Sequence, residues 1–378
     1  MKLHFLSENI QKKLSFLNRI VSQRSQLPIL LNFLIEAKNG KLKVSATDLE
    51  LGAQIEIPAN IEEEGKTTVP AKLFSELIAS IPQEKITLQK EKETLRLITK
   101  NIKSSFQTAP PEEFPKLYES KGERILRITT EELRKIFLPV IFAASLDAGR
   151  PALSGVLIKK IKNPKKPGEI KVVATDGYRL SLKTGSVGEG ERDGEEESKE
   201  ALVPARAIRE ALGINHEEED VKIYISKESN QVLFFQTTTI LVGRLIEAEF
   251  PAYEKIIPAD FSTRVLFDRE QMQKAVKICS IFARDAANII RLSFQKEKVI
   301  VSANAPSVGE NVVEVEAKLE GEENEIAFNA RYLLDILGNL EEESLVFEMS
   351  GPLSPGVFKI EGDASFLHLI MPIRVQTE

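Results

Sequence analysis

The sequence predicts an α+β protein that is built from three tandem copies of one module. A strand–turn–strand pattern recurs along the chain, and its alanines stand at nearly equal intervals, at Ala46, Ala174 and Ala303. Each copy also combines short amphipathic helices with several antiparallel hairpin signals, so the helices are expected to cover one face of continuous sheets. A repeat longer than ~50 residues indicates domain duplication rather than a solenoid.

Composition limits the kinds of protein to consider. The chain has 378 residues, 42% hydrophobic and 29% charged, which suits three globular modules of ordinary domain size. The single cysteine, Cys279, excludes an intrachain disulfide and fits a reducing cytoplasm. With only three histidines, neither a metal site nor a cofactor is expected. No signal peptide is recognised, and no apolar run approaches the ~20 residues of a membrane span.

The net charge of −6 argues, taken alone, against nucleic acid. The acidic residues, however, are concentrated in blocks between the periodic segments, which favours solvated loops. Such blocks serve solubility, or they screen a separate basic surface; both interpretations stay open. The blocks are 62–64, 188–200, 217–220, 320–325 and 341–343.

Local motifs support the module. Asp176-Gly177 and Asn39-Gly40 each stand between alternating apolar runs, the pattern of a β-hairpin. Each module contains two helices at comparable positions, and modules one and two end in a Phe-Pro segment. We predict module boundaries at 1–121, 122–255 and 256–378.

Three motifs together give the sequence a family resemblance. They are Ala-Thr-Asp-Gly-Tyr-Arg-Leu at 174–180, Phe-Pro-Ala-Tyr-Glu-Lys-Ile-Ile-Pro at 250–258 and Leu-Ile-Met-Pro-Ile-Arg at 369–374. With the threefold repeat, the chain resembles the DNA polymerase III beta subunit family, the bacterial sliding clamps. The resemblance covers essentially the whole chain.

The resemblance implies a head-to-tail homodimer, a closed ring with helices inside and continuous antiparallel sheet outside. Such a ring encircles double-stranded DNA and acts as the processivity factor of the replicative polymerase. The implied partners are the polymerase alpha subunit, the clamp loader and other proteins with a clamp-binding motif. A head-to-tail contact that closes after two copies avoids a filament.

A basic inner surface is predicted from cations on the polar sides of the helices. They recur on all six predicted module helices, although ordinary solvated helix faces would also carry them. No pattern suggests base readout, so binding without sequence preference is expected. Arg24 is added from the resemblance, as a loop residue. The set is Lys12, Arg19, Arg24, Lys72, Arg134, Lys135, Arg206, Arg209, Lys274, Lys277 and Arg331.

A peptide-binding groove is implied by the resemblance, between modules two and three. Leu153, Ile256 and Met371 are expected in its apolar pocket with Leu180 and Leu369, and methionine adapts to several partners. Arg179 and Arg374 are expected to hold polar parts of the peptide. The alternative is strand core and a solvated C-terminus. The matching residues are Arg150, Leu153, Thr175, Gly177, Tyr178, Arg179, Leu180, Pro251, Lys255, Ile256, Leu369, Met371, Pro372, Ile373 and Arg374.

The dimer seam, by resemblance, joins module one to module three of the other copy. Candidates are Phe74, Ile78 and Phe106 on one side and Ile278 and Ile281 on the other. A role in the core of each module is about as well supported for each of them.

Two other classes of protein were weighed. Asp48 and Asp176 would be the repeated carboxylates of an enzyme, but aspartate is common at hairpin turns and no nucleophile or metal set accompanies them. The glycines at 188–194 have the wrong spacing for a phosphate loop. No catalytic residue is therefore assigned. The second rival is a monomeric three-module adaptor that binds peptides without encircling DNA.

Overall fold

The computed structural model describes residues 1–22, 24–147, 149–161, 168–187, 200–214, 220–307 and 309–374. These residues form two compact units. Of the described residues, unit one holds 1–131 and 206–245, and unit two holds 132–187, 200–205 and 246–374. No helix in the described part of the chain is long and apolar enough to cross a membrane.

The helices are short, and all but one of the α-helices recur as the first or second helix of a module. Residues 28–31, 111–113 and 253–256 form 3₁₀ turns. The α-helices are α1 Glu8–Ile20, α2 Ala71–Ser80, α3 Thr130–Ile141, α4 Pro151–Ser154, α5 Ala205–Leu212, α6 Arg269–Ala283 and α7 Ala330–Asn339.

Strands make up most of the regular structure. They are β1 Lys2–Leu6, β2 Asn32–Lys38, β3 Lys41–Thr47, β4 Leu51–Pro58, β5 Asn60–Glu63, β6 Gly65–Pro70, β7 Lys85–Glu91, β8 Thr94–Ile98, β9 Lys103–Gln107, β10 Glu123–Thr129, β11 Gly155–Lys160, β12 Glu169–Thr175, β13 Arg179–Ser186, β14 Glu200–Pro204, β15 Asp220–Ser226, β16 Gln231–Phe235, β17 Thr239–Arg244, β18 Thr263–Asp268, β19 Ile289–Gln295, β20 Lys298–Ala305, β21 Gly309–Gly321, β22 Asn324–Asn329, β23 Ser344–Met349, β24 Gly356–Ile360 and β25 Asp363–Ile370.

The sheets confirm the predicted α+β class with antiparallel pairing. Unit one contains a five-stranded sheet in the order β5-β1-β7-β8-β9 and an eight-stranded sheet in the order β10-β15-β16-β17-β4-β3-β2-β6. Unit two contains a twelve-stranded sheet in the order β14-β11-β12-β13-β25-β24-β23-β18-β21-β20-β19-β22. The sheets are therefore continuous across module junctions within each unit, at β4–β17 and at β13–β25.

Both predicted hairpins are present. Asn39 and Gly40 connect β2 to β3 with positive φ angles of 52° and 71°, as a two-residue turn of this type requires. Asp176 and Gly177 lie between β12 and β13, with Gly177 at φ 92°. Glycine accommodates such an angle without steric cost.

The cores lie between the helices and the sheets. In unit two, α6 buries Met272, Val276 and Cys279 in a cluster that contains Phe294 stacked on Phe347, with ring centroids 4.8 Å apart. These side chains recur at helical spacing, which is why the first helix of module three could be recognised in the sequence.

The structure corrects one half of the predicted seam. Phe74, Ile78 and Phe106 are buried inside unit one, and Phe74 packs edge-on against Phe106 at 5.8 Å between ring centroids. A side chain that is buried within one chain offers no surface to a second chain. Their assignment as seam contacts is therefore wrong, whereas Ile278 and Ile281 are exposed.

The acidic blocks are only partly loops. Glu62 and Glu63 belong to β5, where hydrogen bonds from Lys2 and His4 hold the pKa of Glu62 at about 2. This block is an ion-paired strand because its neighbour β1 carries the bases. The acidic residues at 188–199 and 217–219 lie outside the described residues.

Candidate functional site

The turn between β12 and β13 is built by its own side chains. The Asp176 carboxylate accepts hydrogen bonds from the backbone N–H groups of Tyr178 and Arg179, at 2.9 and 3.0 Å. The Thr175 hydroxyl accepts from the N–H of Gly177 and donates to the carbonyl of Arg179. This arrangement leaves the Tyr178 side chain 57% exposed at the tip.

Asp48, the equivalent aspartate of module one, also accepts hydrogen bonds from the backbone of its turn. Asp48 accepts hydrogen bonds from the N–H groups of Glu50 and Leu51, at 3.0 and 2.7 Å. Repeated carboxylates at these turns therefore have a backbone role, and this role is sufficient to account for their recurrence. Among the described residues, no group of His, Cys, Asp and Glu could hold a metal ion.

The end of β25 lies beside this turn. Strands β13 and β25 place Leu180 opposite Leu369, and the N–H of Met371 donates to the carbonyl of Tyr178 at 2.8 Å. Met371 is therefore held next to Tyr178, and both side chains are exposed. An exposed aromatic and an exposed methionine form an adaptable apolar surface.

Two residues of the predicted apolar pocket are buried in the core beneath it. Leu180 and Leu369 are fully buried in a cluster with Tyr253, so they support the surface and are not open to a ligand, contrary to the prediction. The turn at 253–256 packs on this cluster through Tyr253. Ile256 remains exposed, as do Pro251 and Lys255.

The segment before β11 also lies beside the turn between β12 and β13. The Arg150 guanidinium donates to the carbonyl of Asp176 at 3.2 Å and forms an ion pair with Asp147. Leu153 is half-buried, and its carbonyl accepts from the N–H of Ser145 at 2.8 Å. The structure thus brings Arg150 and Leu153 to the Tyr178 turn.

Sequence reasoning missed Leu146, which is 82% exposed and directly follows Ser145. Leu353 was also missed; it is exposed in the loop before Gly356, which pairs with Ile370 next to Met371. The only available signal was a leucine inside a loop of polar or turn-forming residues. The remaining predicted groove residues follow β25: Pro372 and Ile373 are half-buried, and Arg374 is exposed.

Arg179 does not have the predicted role of a free ligand for a peptide. Its guanidinium is buried and forms ion pairs with Asp176 and Asp335, and it also donates to the carbonyl of Phe142 at 2.9 Å. It stacks over the Tyr332 ring, with the guanidinium carbon 4.6 Å from the centroid. These contacts satisfy the charge inside unit two, so we assign Arg179 to the support of the groove.

The predicted DNA-facing cations are all exposed. They differ in what they contact: Arg19 pairs with Glu210, Arg206 with Asp48, and Lys274 weakly with Glu270. The side chains that form no ion pair with another described residue are Arg24, Lys72, Arg209, Lys277 and Arg331. Their contact with DNA stays a prediction.

The repeated module and the site on unit two together define a protein of the DNA-clamp class. Family models for the N-terminal, central and C-terminal domains of the DNA polymerase III beta subunit match residues 1–118, 127–252 and 254–374. The chain belongs to the DNA polymerase III beta subunit family, the beta sliding clamps. The exact module boundaries remain predictions.

Individual proteins of this family are similar to the chain over almost its whole length. The beta sliding clamp of Staphylococcus aureus strain Mu50 is 28% identical over 370 residues, which is 94% of each chain. The crystal structure of the beta subunit from Thermotoga maritima matches at a TM-score of 0.90 with 26% identity, over 99% of this chain and 100% of that one. The Pseudomonas aeruginosa beta subunit matches at 0.90 with 25% identity and the same coverage.

Proposed function

We propose that two copies of this chain close head to tail into a ring around duplex DNA and thereby keep the replicative polymerase on its template. Processivity in such a ring comes from topology, because contacts with phosphates that were tight enough to hold the protein would also stop it from sliding. The observation that carries the proposal is the pair of strand edges that the repeat leaves unpaired.

Two junctions between modules follow one rule. The second strand of the Asp48 hairpin, β4, pairs with β17, the last strand of module two. The second strand of the Asp176 hairpin, β13, pairs in the same way with β25, the last strand of module three. In module three, the second strand of the equivalent hairpin is β21. In module one, the last strand is β9. These two strands would pair if a third junction followed the same rule.

Strands β21 and β9 each have an edge that is not paired with another described strand. Residues 309–316 of β21 pair with β20 on one side only, since β18 pairs with residues 317–321. Strand β9 ends its sheet, so its outer edge has no strand partner among the described residues. Exposed Glu310 and Glu316 on β21 and exposed Lys103 on β9 give the two edges opposite charges. Unpaired edges of this kind pair readily with another chain.

Helix positions support the same seam. The third residue of the second helix is buried Ala207 in module two and half-buried Tyr332 in module three, but the corresponding Leu73 is 56% exposed. On the first helix, Phe16 is buried, whereas its counterpart Ile278 is 45% exposed and Ile281, one turn on, 58%. We infer that Leu73 of one copy meets Ile278 and Ile281 of the other.

The DNA contact follows from the exposed helix cations. Lysine and arginine side chains without a fixed partner neutralise phosphates irrespective of base sequence. Arg24, Lys72 and Lys277 have this character, as do Arg209 and Arg331. The ring is therefore expected to bind any duplex weakly and to lose this contact as salt is raised.

The groove on unit two serves as the tether. Tyr178, Ile256 and Met371 expose apolar surface, Arg150 bonds the turn before Tyr178, and the exposed Arg374 follows Met371 by three residues. A short linear peptide with apolar anchors and acidic flanks fits this chemistry. We propose the polymerase alpha subunit, the clamp loader and other motif-bearing proteins as its sources, acting in the cytoplasm. The clamp itself carries out no catalysis in this scheme.

The deciding experiment is retention on circular DNA. The protein is loaded onto a nicked circular duplex with a clamp loader and ATP, washed in high salt, and the circle is then cut once with a restriction enzyme. We expect the protein to stay on the circle and to leave after cutting, because only a topological link survives the salt and ends at a free DNA end.

Two outcomes would contradict the ring. Loss of the protein in salt before cutting would mean ordinary affinity. Failure to load with an active loader, together with a monomeric mass at every concentration, would favour the monomeric adaptor. A duplex of unrelated sequence serves as the control, since retention must not depend on base sequence.

A further inference from the structure

The second helix of every module carries an acid at the same place. These helices begin at Ala71, Ala205 and Ala330, and their sixth residues are Glu76, Glu210 and Asp335. The first residue of each helix is also alanine and the second is always basic, but the sixth is the one acidic residue that each helix contains. A carboxylate at this place in all three copies indicates a function that the copies share.

In modules two and three this acid receives an arginine from the preceding module. Glu210 pairs with Arg19 of module one, at 2.8 Å between Nε and Oε2. Asp335 pairs with Arg179 of module two. Each junction that is continuous in the sheet therefore contains a contact between this helix acid and an arginine of the preceding module.

In module one the acid has no such partner. Glu76 is exposed, and its carboxylate forms no ion pair with any described residue of the chain. It lines an open concavity together with Leu31 and Leu73, both exposed leucines. Arg24 and Lys72 of the same module also line this concavity. Module one has no preceding module in its own chain, so an arginine from a preceding module can reach Glu76 only from a second copy.

We propose that Glu76 accepts the Arg284 guanidinium of a second copy of this chain, which completes the acid–arginine contact at the third junction. This inference rests on the proposed head-to-tail ring. Arg284 directly follows the last residue of α6, three residues after Ile281, which is the counterpart of Arg19 when Ile278 is aligned with Phe16. Arg284 is exposed, pairs with no described residue, and follows Ile281 by one helical turn.

The test reverses each charge alone. In Glu76→Arg two guanidinium groups face each other at the seam, and in Arg284→Glu two carboxylates do. A head-to-tail dimer has two identical seams, so we expect each variant to weaken dimerisation by roughly a hundredfold, from roughly tenfold at each seam. The dissociation constant is measured by sedimentation equilibrium in low salt.

Mixing the two variants separates a direct contact from a general disturbance. A mixed dimer places the arginine introduced at position 76 against the glutamate introduced at position 284 at one seam, and the native pair at the other. We therefore expect the equimolar mixture to dimerise within about threefold of the wild-type constant, which native mass spectrometry resolves as the heterodimer. The double variant should recover to the same degree.

A matched control is Glu228→Arg, which reverses an exposed charge in a turn of module two and should leave the constant unchanged. If Glu76→Arg and Arg284→Glu dimerise normally, or if their mixture stays as weak as each alone, the pair is refuted while the ring survives. If the wild-type chain is monomeric at every concentration, the proposed ring itself fails.

Discussion

The junction of modules one and two and the junction of modules two and three use the same strand pairing with different side-chain contacts. At the first, Arg19 and Arg206 form ion pairs across the junction, and both side chains are 45% exposed. At the second, Arg179 is 9% exposed and lies between Asp176 and Asp335. The carboxylates of both junctions are mostly buried, but the arginines of the first junction are half-exposed and the arginine of the second is desolvated.

The second junction contains further polar contacts. The buried His368 on β25 hydrogen-bonds through Nδ1 to the Ser181 hydroxyl on β13, at 2.6 Å. Lys183 pairs with Asp363 at 2.7 Å. Burial raises the pKa of Asp363, but hydrogen bonds from Lys183 and Ser365 outweigh it and hold that pKa at about 2.

The junction with the more buried contacts is the one that carries the proposed groove residues. Leu180 lies on β13, Tyr178 directly precedes β13 and Met371 directly follows β25, so a shift between the two strands would move the proposed peptide surface. Binding surfaces on rigid, well-supported elements lose less affinity to ordering. The buried contacts of the second junction restrict movement between β13 and β25 more than the half-exposed arginines of the first restrict β4 and β17.

The largest expected effect is the loss of Arg179. Arg179→Ala leaves Asp176 without its main cation in a buried site, and removing one partner of such a pair costs about 3 kcal/mol. Arg206→Ala, the matched control at the first junction, should cost less than about 1 kcal/mol, because Arg206 is half-exposed and Asp48 keeps its hydrogen bonds from the backbone. Native-state hydrogen exchange reports both, in β13 and β25 against β4 and β17.

The comparison would be broken if Arg179→Ala and Arg206→Ala changed exchange by the same amount. Peptide affinity gives a second measure. It should fall in Arg179→Ala and stay unchanged in Arg206→Ala.

A smaller effect is expected from His368 as the pH falls. Burial, and to a lesser degree the charge of Arg179, hold the pKa of His368 well below 6.5. Below about pH 6.5 the unfolded chain therefore binds a proton that the folded chain refuses, and stability falls by up to about 1.4 kcal/mol per pH unit. Above that pH the effect is absent.

His368→Gln should remove this slope, because glutamine does not titrate and can still hydrogen-bond Ser181. The measurement is hydrogen exchange of β25 between pH 7 and 5, corrected for intrinsic rates. His4→Gln in unit one is the control and should keep the slope in β25. An unchanged slope in His368→Gln would place the sensitive group elsewhere.

The sequence was sufficient for everything that depends on period and turn chemistry. The repeat of Ala46, Ala174 and Ala303 predicted the modules, and Asn39-Gly40 and Asp176-Gly177 predicted two hairpins that the structure contains. Helical spacing identified the buried face of α6. These signals are local, so they survive without knowledge of tertiary contacts.

Burial was the part that local patterns could not supply. The sequence pattern around an apolar residue such as Phe74 is the same whether the residue faces its own core or a second copy. Only its packing against Phe106 shows that it faces its own core. Arg179 likewise reads as a surface cation, because its partner Asp335 is distant in the chain. A comparison of equivalent positions, Leu73 with Ala207, was needed to distinguish exposed from covered faces.

The smallest expected effect concerns salt at the first junction. The Arg19 side chain is 45% exposed and its charge is screened within about 8 Å at physiological ionic strength, so its pair with Glu210 contributes about 0.5 kcal/mol or less. Arg19→Ala should therefore speed exchange in β4 and β17 slightly in low salt and not at all in 1 M salt. Arg179→Ala, whose charges are shielded from ions, should keep its effect at both. If Arg19→Ala were as damaging in high salt as in low, the first junction would depend on packing of the arginine stem over Phe16 rather than on charge.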